Sequence, residues 1–257
     1  MYLYLMPICD TICESILEGC QMMCLNEMVD KNDYQGSFSK IANYLLNCVE
    51  LHIGTEKYEF TEIEFYYYSD DHKDCALHGD ELQKTSNGWY VHNKGRGGID
   101  ITFGNCDSYG GILIRGIKEV KSDGKYIDGP LNIMNFFKSQ FSCQNKMELQ
   151  EKLTSEAKAF IQIDCKNDTL YQGSRIGLVQ PTNPYLVYPY RFLKDLSKKH
   201  NFKEKLTVYY TSIKLKIITE EDLSNKIGYQ FSVESYENSL SLAINKNKLF
   251  LDYFKNI

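Results

Sequence analysis

The chain has 257 residues, of which 43% are hydrophobic and 25% charged, and a formal net charge of −5. That length can bury a substantial core in one large domain or two small ones, and the acidic balance argues against a protein coated in basic surface. No run approaches the roughly 20 consecutive apolar residues of a spanning helix, so a membrane protein is not expected.

Residues 1–7 are apolar but lack a basic n-region and a small-residue cleavage site, which predicts an intracellular, cytoplasmic protein without a secretory signal. Nine cysteines are too few for a disulfide scaffold and odd in number, so free thiols in a reducing compartment are expected. Residues 1–36 form a predicted N-terminal helical extension, with a helix over 8–29 that starts near Asp10 and carries Ile12, Ile16 and Met23 inward. Cys9, Cys13, Cys20 and Cys24 fall on one stripe of that helix. No histidine joins them, so they read as buried thiols rather than a metal site. A single domain is expected over 37–257, opening with Ser37 as the cap of a helix through Ile41, Tyr44, Leu45 and Leu46.

Residues 49–53 and 58–68 are predicted to pair as a hairpin. In the second strand, alternation puts Phe60, Glu62, Glu64 and Tyr66 on one face and Thr61, Ile63, Phe65 and Tyr67 on the other. If the first face is enclosed, its carboxylates must be paired, hydrogen-bonded or raised in pKa, and one that keeps its charge is a candidate base. If the strand is an edge, the glutamates sit in water. The Asp- and His-rich loop at 69–88 has a length typical of functional segments. Strands follow at 89–92, 99–103 and 112–118, the last with Arg115 alone in an apolar run. Antiparallel strands in succession indicate an α+β fold.

Further on, helices are expected after Gly129-Pro130 and over 144–160, strand fragments at 161–164, 174–179, 187–192 and 206–218, and a final helix at 249–254. Pro181, Pro184 and Pro189 confine the middle section to loop or edge. Between 191 and 216, Arg191, Lys194, Lys198, Lys199, Lys203, Lys205, Lys214 and Lys216 face only Asp195 and Glu204. Such a run can track a phosphate backbone or line a solvated surface.

Taken in order, several segments between 38 and 195 resemble the methylpurine (alkyladenine) DNA glycosylase superfamily. Glu64-Phe65-Tyr66 is similar to that family's Glu-Ala-Tyr strand end, and Asp74 to His78 to its Asp-x-x-x-His. Tyr90-Val91-His92 resembles Tyr-Val-Tyr, Asp100-Ile101-Thr102 stands where the family has Asn-Ile-Ser, and Ile112-Leu113-Ile114-Arg115 is similar to Leu-Leu-Arg. Gly129-Pro130, Arg175-Ile176-Gly177 and Tyr190-Arg191-Phe192 match later segments. The resemblance implies a single α+β domain around a curved, mainly antiparallel β-sheet with surrounding helices. It also implies a monofunctional DNA N-glycosylase that hydrolyses the N-glycosidic bond of a damaged or modified base and leaves an abasic site.

In that reading Glu64, Arg115 and His78 are catalytic, with Glu64 deprotonating water and offsetting charge on an oxocarbenium-like sugar. His72 competes with His78 for the histidine role. Tyr66, His92 and Asp100 would line the pocket for a flipped base. Lys94, Arg96, Arg191, Lys198 and Lys199 would contact nucleic acid. No cofactor or metal is called for, and the expected partner is DNA, bound by a monomer that is intracellular and can associate with the nucleoid. Glu62 is expected to be exposed or hydrogen-bonded. The same residues also admit structural readings: an Arg115 to Glu64 ion pair, and Tyr66 and His92 as packing residues.

Two departures bear on the substrate. Gly95 stands where the family carries a wedge tyrosine, which weakens the inference to intact duplex DNA. Asp100 in place of asparagine would favour an amino-bearing or cationic base. Two other functions therefore stay open, an N-glycosidase acting on free nucleosides, nucleotides or single strands, and a catalytically inactive module that binds nucleic acid or protein.

Overall fold

The structure is a computed structural model, and it describes residues 22–95, 97–155, 160–178, 183–241 and 246–255. The expected hairpin forms: Val49–Ile53 (β1) pairs antiparallel with Glu56–Tyr68 (β2). Ser86–Val91 (β3), Ile99–Phe103 (β4) and Tyr109–Glu119 (β5) extend the sheet on one side of β2, and Phe160–Gln162 lies beyond β1 on the other. Three short strands complete it: Tyr126–Asp128 (β6) on β5, with Phe160–Gln162 numbered β7, and Tyr171–Gly173 (β8) on Arg191–Leu193 (β9). Every pairing is antiparallel, and the fold is α+β.

The strand β2 organises the rest. One edge of it pairs with β5 throughout, while the other pairs with β1 up to Glu59 and with β9 from Glu62 to Glu64. The β2–β5 ladder is interrupted twice. Phe60 faces Ile117, Glu62 faces Gly116 and Ile63 faces Ile114, so Thr61 on β2 and Arg115 on β5 are the unpaired extra residues. A bulge reverses the alternation and re-aims a side chain. Phe60 therefore joins Ile63, Phe65 and Tyr67 in the core, and does not share the face of Glu62 and Glu64 as simple alternation predicts. Alternation from Ile112 and Ile114 puts Arg115, like Leu113, on the face of the glutamates, and the matching bulge returns Ile117 to the core. A Cβ on Gly116 would run into Thr61 Oγ1 and lie 3.1 Å from Glu62 Cβ, so this crossing requires glycine. Gly116→Ala is expected to cost about 1–3 kcal/mol of stability through overpacking at the paired bulges, read as a lower urea midpoint.

The sheet has two unlike faces. One packs Ile63, Phe65, Ile99, Ile101, Ile112 and Phe192 against Tyr34–Cys48 (α1), Pro130–Gln140 (α2) and Lys146–Ser155 (α3). Asp33 rather than Ser37 caps α1, accepting from Gly36 N at 2.8 Å. A second core gathers Tyr171, Leu193, Phe202 and Val208 with the C-terminal helices Lys205–Lys214 (α4), Glu220–Ile227 (α5), Val233–Ser241 (α6) and Lys246–Lys255 (α7).

The expected strand at 206–218 is a helix, α4. Val208, Thr211 and Ser212 recur at helical spacing and are buried, and Val208 packs over Gly173 of β8. Tertiary packing outweighs the strand preference of Val, Tyr, Thr and Ile here. The acidic residues at 220–222 are the first turn of α5, capped by Thr219 and ended by Gly228 at φ +78°. Residues 174–178 are loop, not strand.

Free cysteines are not the whole account. Cys48 and Cys165 form a disulfide across 117 residues, while Cys24, Cys75, Cys106 and Cys143 are free. The pairing of β7 with β1 brings the two together, a juxtaposition no local pattern announces. Cys9, Cys13 and Cys20, with most of the expected N-terminal helix, lie outside the described residues. Within that helix's expected span, Leu25–Met28 is a single 3-10 turn. No helix among the described residues is long and apolar enough to cross a membrane.

Candidate functional site

One register row crosses five strands on the face opposite the first core. Tyr90 pairs with Asp100, Asp100 with Leu113, Leu113 with Glu64 and Glu64 with Arg191. Over this row opens a cavity of about 750 Å³, lined among others by Glu62, Tyr66, His78, His92, Asp100 and Arg115. The strand is no exposed edge: Glu64 is 0% exposed and Glu62 2%.

Glu64 lies beneath the cavity wall, fully hydrogen-bonded. Its Oε2 accepts from the Tyr66 hydroxyl at 2.8 Å and from Arg115 Nη1 at 3.4 Å, and its Oε1 accepts from the Ile176 backbone N–H at 2.8 Å. Burial, and next the charge of Glu64, push the Tyr66 phenol well above its usual pKa, so it is a proton donor to that carboxylate. Arg175 sits with its guanidinium carbon 4.5 Å from the centroid of the Tyr66 ring. It is held by Asp74, the Phe65 carbonyl at 3.0 Å and the Tyr185 carbonyl at 3.1 Å. Tyr66 is thereby fixed between a carboxylate and a cation.

Glu62, expected to be exposed or hydrogen-bonded, is the second: it is a buried junction of charges. Its Oε1 accepts from Arg115 Nε at 2.7 Å and from Arg191 Nε at 2.8 Å. Burial alone would raise its pKa; Arg191 and Arg115 more than offset that and hold it below the usual carboxylate value. Arg191, expected at a nucleic-acid surface, is fully buried in this pairing and presents nothing to a ligand outside the fold. Its strand, β9, pairs directly with β2, which turns the side chain inward.

The two candidate histidines separate cleanly. His72 is internal, with Nδ1 2.9 Å from the Tyr67 carbonyl, Nε2 2.9 Å from the Tyr190 hydroxyl, and its ring stacked 3.8 Å from Tyr185. His78 lines the cavity, with Nδ1 3.1 Å from the Tyr90 hydroxyl and its ring 4.4 Å from His92. Burial, then the neighbouring His92, lower the pKa of His78.

His92 and Asp100 are joined at 2.6 Å through Nε2 and Oδ1, and Asp100 Oδ2 accepts from Gln83 at 3.1 Å. Both oxygens of Asp100 are thus engaged, and the negative acceptor expected in the base pocket is already taken by His92 and Gln83. Lys94, Lys198 and Lys199 are exposed, as nucleic-acid contacts would need, while Arg96 lies outside the described residues. Gly95 has φ +70° and open space around it. No group of three or more metal-ligating side chains occurs among the described residues.

No known protein-family profile matches the chain. It is similar to the uncharacterized protein L759 of Acanthamoeba polyphaga mimivirus, 28% identical over 184 residues that span 61% of this chain and 85% of that protein. That relative's name carries no activity, so the chemistry rests on geometry.

Reasoning from sequence missed the Ile176 N–H, a backbone donor that no residue type reveals. It also missed the roles of Arg175 and Gln83, for which the only local signals are polar residues flanked by loop. Burial also makes a pH prediction. His72 is held below its usual pKa chiefly by burial, so between about 6.5, the unfolded value, and its lower folded value the unfolded chain binds more protons. The stability contribution is complete above about pH 6.5 and is lost as pH falls through the folded pKa. Glu62 adds a second loss below about pH 4.3, by the same sign. Thermal melts are expected to decline from near neutrality downward, and a flat profile between about pH 7 and 5 would refute the assignment of His72 as buried and neutral.

Proposed function

We propose that this protein hydrolyses the N-glycosidic bond of a modified or damaged base in DNA, in the manner of the methylpurine DNA glycosylases that its segments resemble. The observation that carries this reading is the convergence of Tyr66, His78, His92, Asp100 and Arg115 on one cavity with the buried Glu64 directly beneath it. A hydrolytic site for this bond needs a charged carboxylate, a cation that orients it and flat walls for a base. Glu64, Arg115 and the rings of Tyr66 and His92 supply those groups.

In this mechanism water enters beside Tyr66 and takes the place of its hydroxyl at Glu64 Oε2. Glu64 removes a proton from that water as the C1′–N bond breaks, and its remaining charge offsets the positive sugar. Arg115, shared with Glu62, orients the carboxylate. The water is the nucleophile, so no lysine is required.

The test is base release. The full chain is incubated with single- and double-stranded oligonucleotides bearing alkylated, deaminated or bulky bases, and with the corresponding free nucleosides. Alkali-labile strand breaks or free base from oligonucleotides support the DNA reading; release from nucleosides alone moves the activity to small substrates. No release from any substrate overturns the enzymatic reading and leaves a binding module.

A further inference from the structure

We propose that the cavity also accepts ribose, with Asp128 as the residue that takes a hydrogen bond from the 2′-hydroxyl of the sugar. The inference rests on the hydrolytic reading of Glu64 and extends its substrates from deoxyribonucleotides to ribonucleotides. Asp128 ends β6 and lines the cavity, its side chain 16% exposed. Its Oδ2 accepts from the Asn201 N–H at 2.9 Å. Its Oδ1 is buried with no hydrogen-bond partner among the described residues, so the side chain meets the cavity on the Oδ2 side.

Behind Oδ1 lies a second orphan. His200 is 0% exposed, its Nδ1 donates to the Asp195 carbonyl at 2.7 Å, and its ring stacks on Tyr126 with centroids 5.3 Å apart. Its Nε2 has no hydrogen-bond partner among the described residues and points between Asp128 Oδ1 at 3.4 Å and Glu62 Oε2 at 3.9 Å. Unpaired polar atoms at such depth cost stability and call for an explanation beyond packing. A carboxylate left under-bonded at a cavity wall is an acceptor held for a ligand. What meets it must donate, which excludes a phosphate oxygen, and the three side chains do not form a group that could hold a metal ion. The neutral donors of a nucleotide are the amines of its base and the hydroxyls of its sugar.

Position selects the hydroxyl. Asp100 pairs with Leu113 and Asp128 with Gly116 on the same edge of β5, while Glu64 pairs with Leu113 from the other edge. Three residues along a strand span about 10 Å, the reach of one nucleoside from base to sugar. A base between Tyr66 and His92 therefore sets C1′ by Glu64 and the sugar towards Asp128. The subsite is also tied to the chemistry. The Gly129 N–H donates to the Arg115 carbonyl at 2.7 Å, Asn132 Nδ2 donates to the Asp128 carbonyl at 2.8 Å, and Arg115 orients Glu64. A 2′-hydroxyl withdraws electrons from the forming oxocarbenium-like sugar and slows bond breaking. A carboxylate bonded to that hydroxyl offsets the loss, because such bonds strengthen in the transition state.

The test compares sugars. Single-turnover base release by the full chain is measured on oligonucleotides that differ at one position only, which carries hypoxanthine or N7-methylguanine on deoxyribose, ribose or 2′-O-methylribose. The wild type is expected to release a base from ribose no more than about tenfold slower than from deoxyribose. From 2′-O-methylribose, which cannot donate, release is expected to be at least about 10-fold slower than from ribose. Asp128→Ala is read by the ratio of ribose to deoxyribose rates, which any effect common to both leaves unmoved. That ratio is expected to fall about 10–100-fold, the worth of a hydrogen bond to a charged group. Asp128→Asn, whose amide oxygen still accepts, recovers part of it. Thermal melts confirm folding, and the 2′-O-methyl comparison needs no variant. Release from ribose alone supports the inference and moves the substrate from DNA to RNA. A larger wild-type deficit on ribose, equal release from ribose and its methyl ether, or an unmoved ratio in folded Asp128→Ala overturns the inference, while release from deoxyribose keeps the glycosidase reading. Absence of release from every sugar overturns both.

Discussion

Glu64→Gln is expected to lower base release by about 10²–10⁴-fold, the range for loss of a general base, while leaving the protein folded. The two buried glutamates make this a paired experiment. In the Glu64→Gln protein the amide oxygen would still accept from the Ile176 N–H in the place of Oε1, the amide NH2 in the place of Oε2 would donate to the Tyr66 hydroxyl, and Arg115 would keep Glu62 at 2.7 Å. Glu62 has no such reserve. Arg115 and Arg191 both place Nε on one oxygen of it, so Glu62→Gln leaves the buried Arg191 with a neutral partner and Arg115 with Glu64 as its carboxylate. Its expected effect is on the melting temperature first and on rate second. Base release at the wild-type rate by a folded Glu64→Gln protein would remove Glu64 from the mechanism. Loss of stability in Glu64→Gln equal to that in Glu62→Gln would mean that both glutamates are only structural.

The strand that carries these residues was legible as a strand, and so were its faces from Glu62 to Tyr67, but not across the bulge. Simple alternation puts Phe60 beside Glu62, and it fails because Thr61 and Arg115 are bulged against each other. A bulge depends on both strands at once, so a pattern read along one of them cannot find it. The same limit hid the Cys48–Cys165 disulfide and the inward turn of Arg191, each of which follows from which strands become neighbours. Local signals fared better where chemistry is local. Gly129-Pro130 does open a helix, and Arg115 in an apolar run does have carboxylate partners. The final helix was expected and is α7, but α4 was obscured for the opposite reason, since it is rich in Val, Tyr, Thr and Ile, and only packing against β8 and the second core decides its form.

Asp74→Ala is expected to destabilise the protein by about 3–5 kcal/mol, the range for breaking a buried ion pair from one side. Asp74 and Arg175 are both 0% exposed, and the pair is bidentate. Asn183 adds a hydrogen bond to Asp74 at 2.7 Å, and the Ala76 N–H another at 3.2 Å. Removing the carboxylate strands a guanidinium that keeps only two backbone carbonyls, and frees the loop that carries His78. For a chain of this size the loss corresponds to a fall in melting temperature on the order of 10 °C. The site should feel it, because Arg175 also supports the ring of Tyr66, which bonds Glu64. A double variant, Asp74→Ala with Arg175→Met, removes both charges. Such replacements are often neutral or better, so it should recover much of the stability, yet base release should stay low, because Met supplies no cation beneath Tyr66. Recovery of both together would reduce the pair to a scaffold; recovery of stability alone would tie the buried cation to the proposed hydrolytic site.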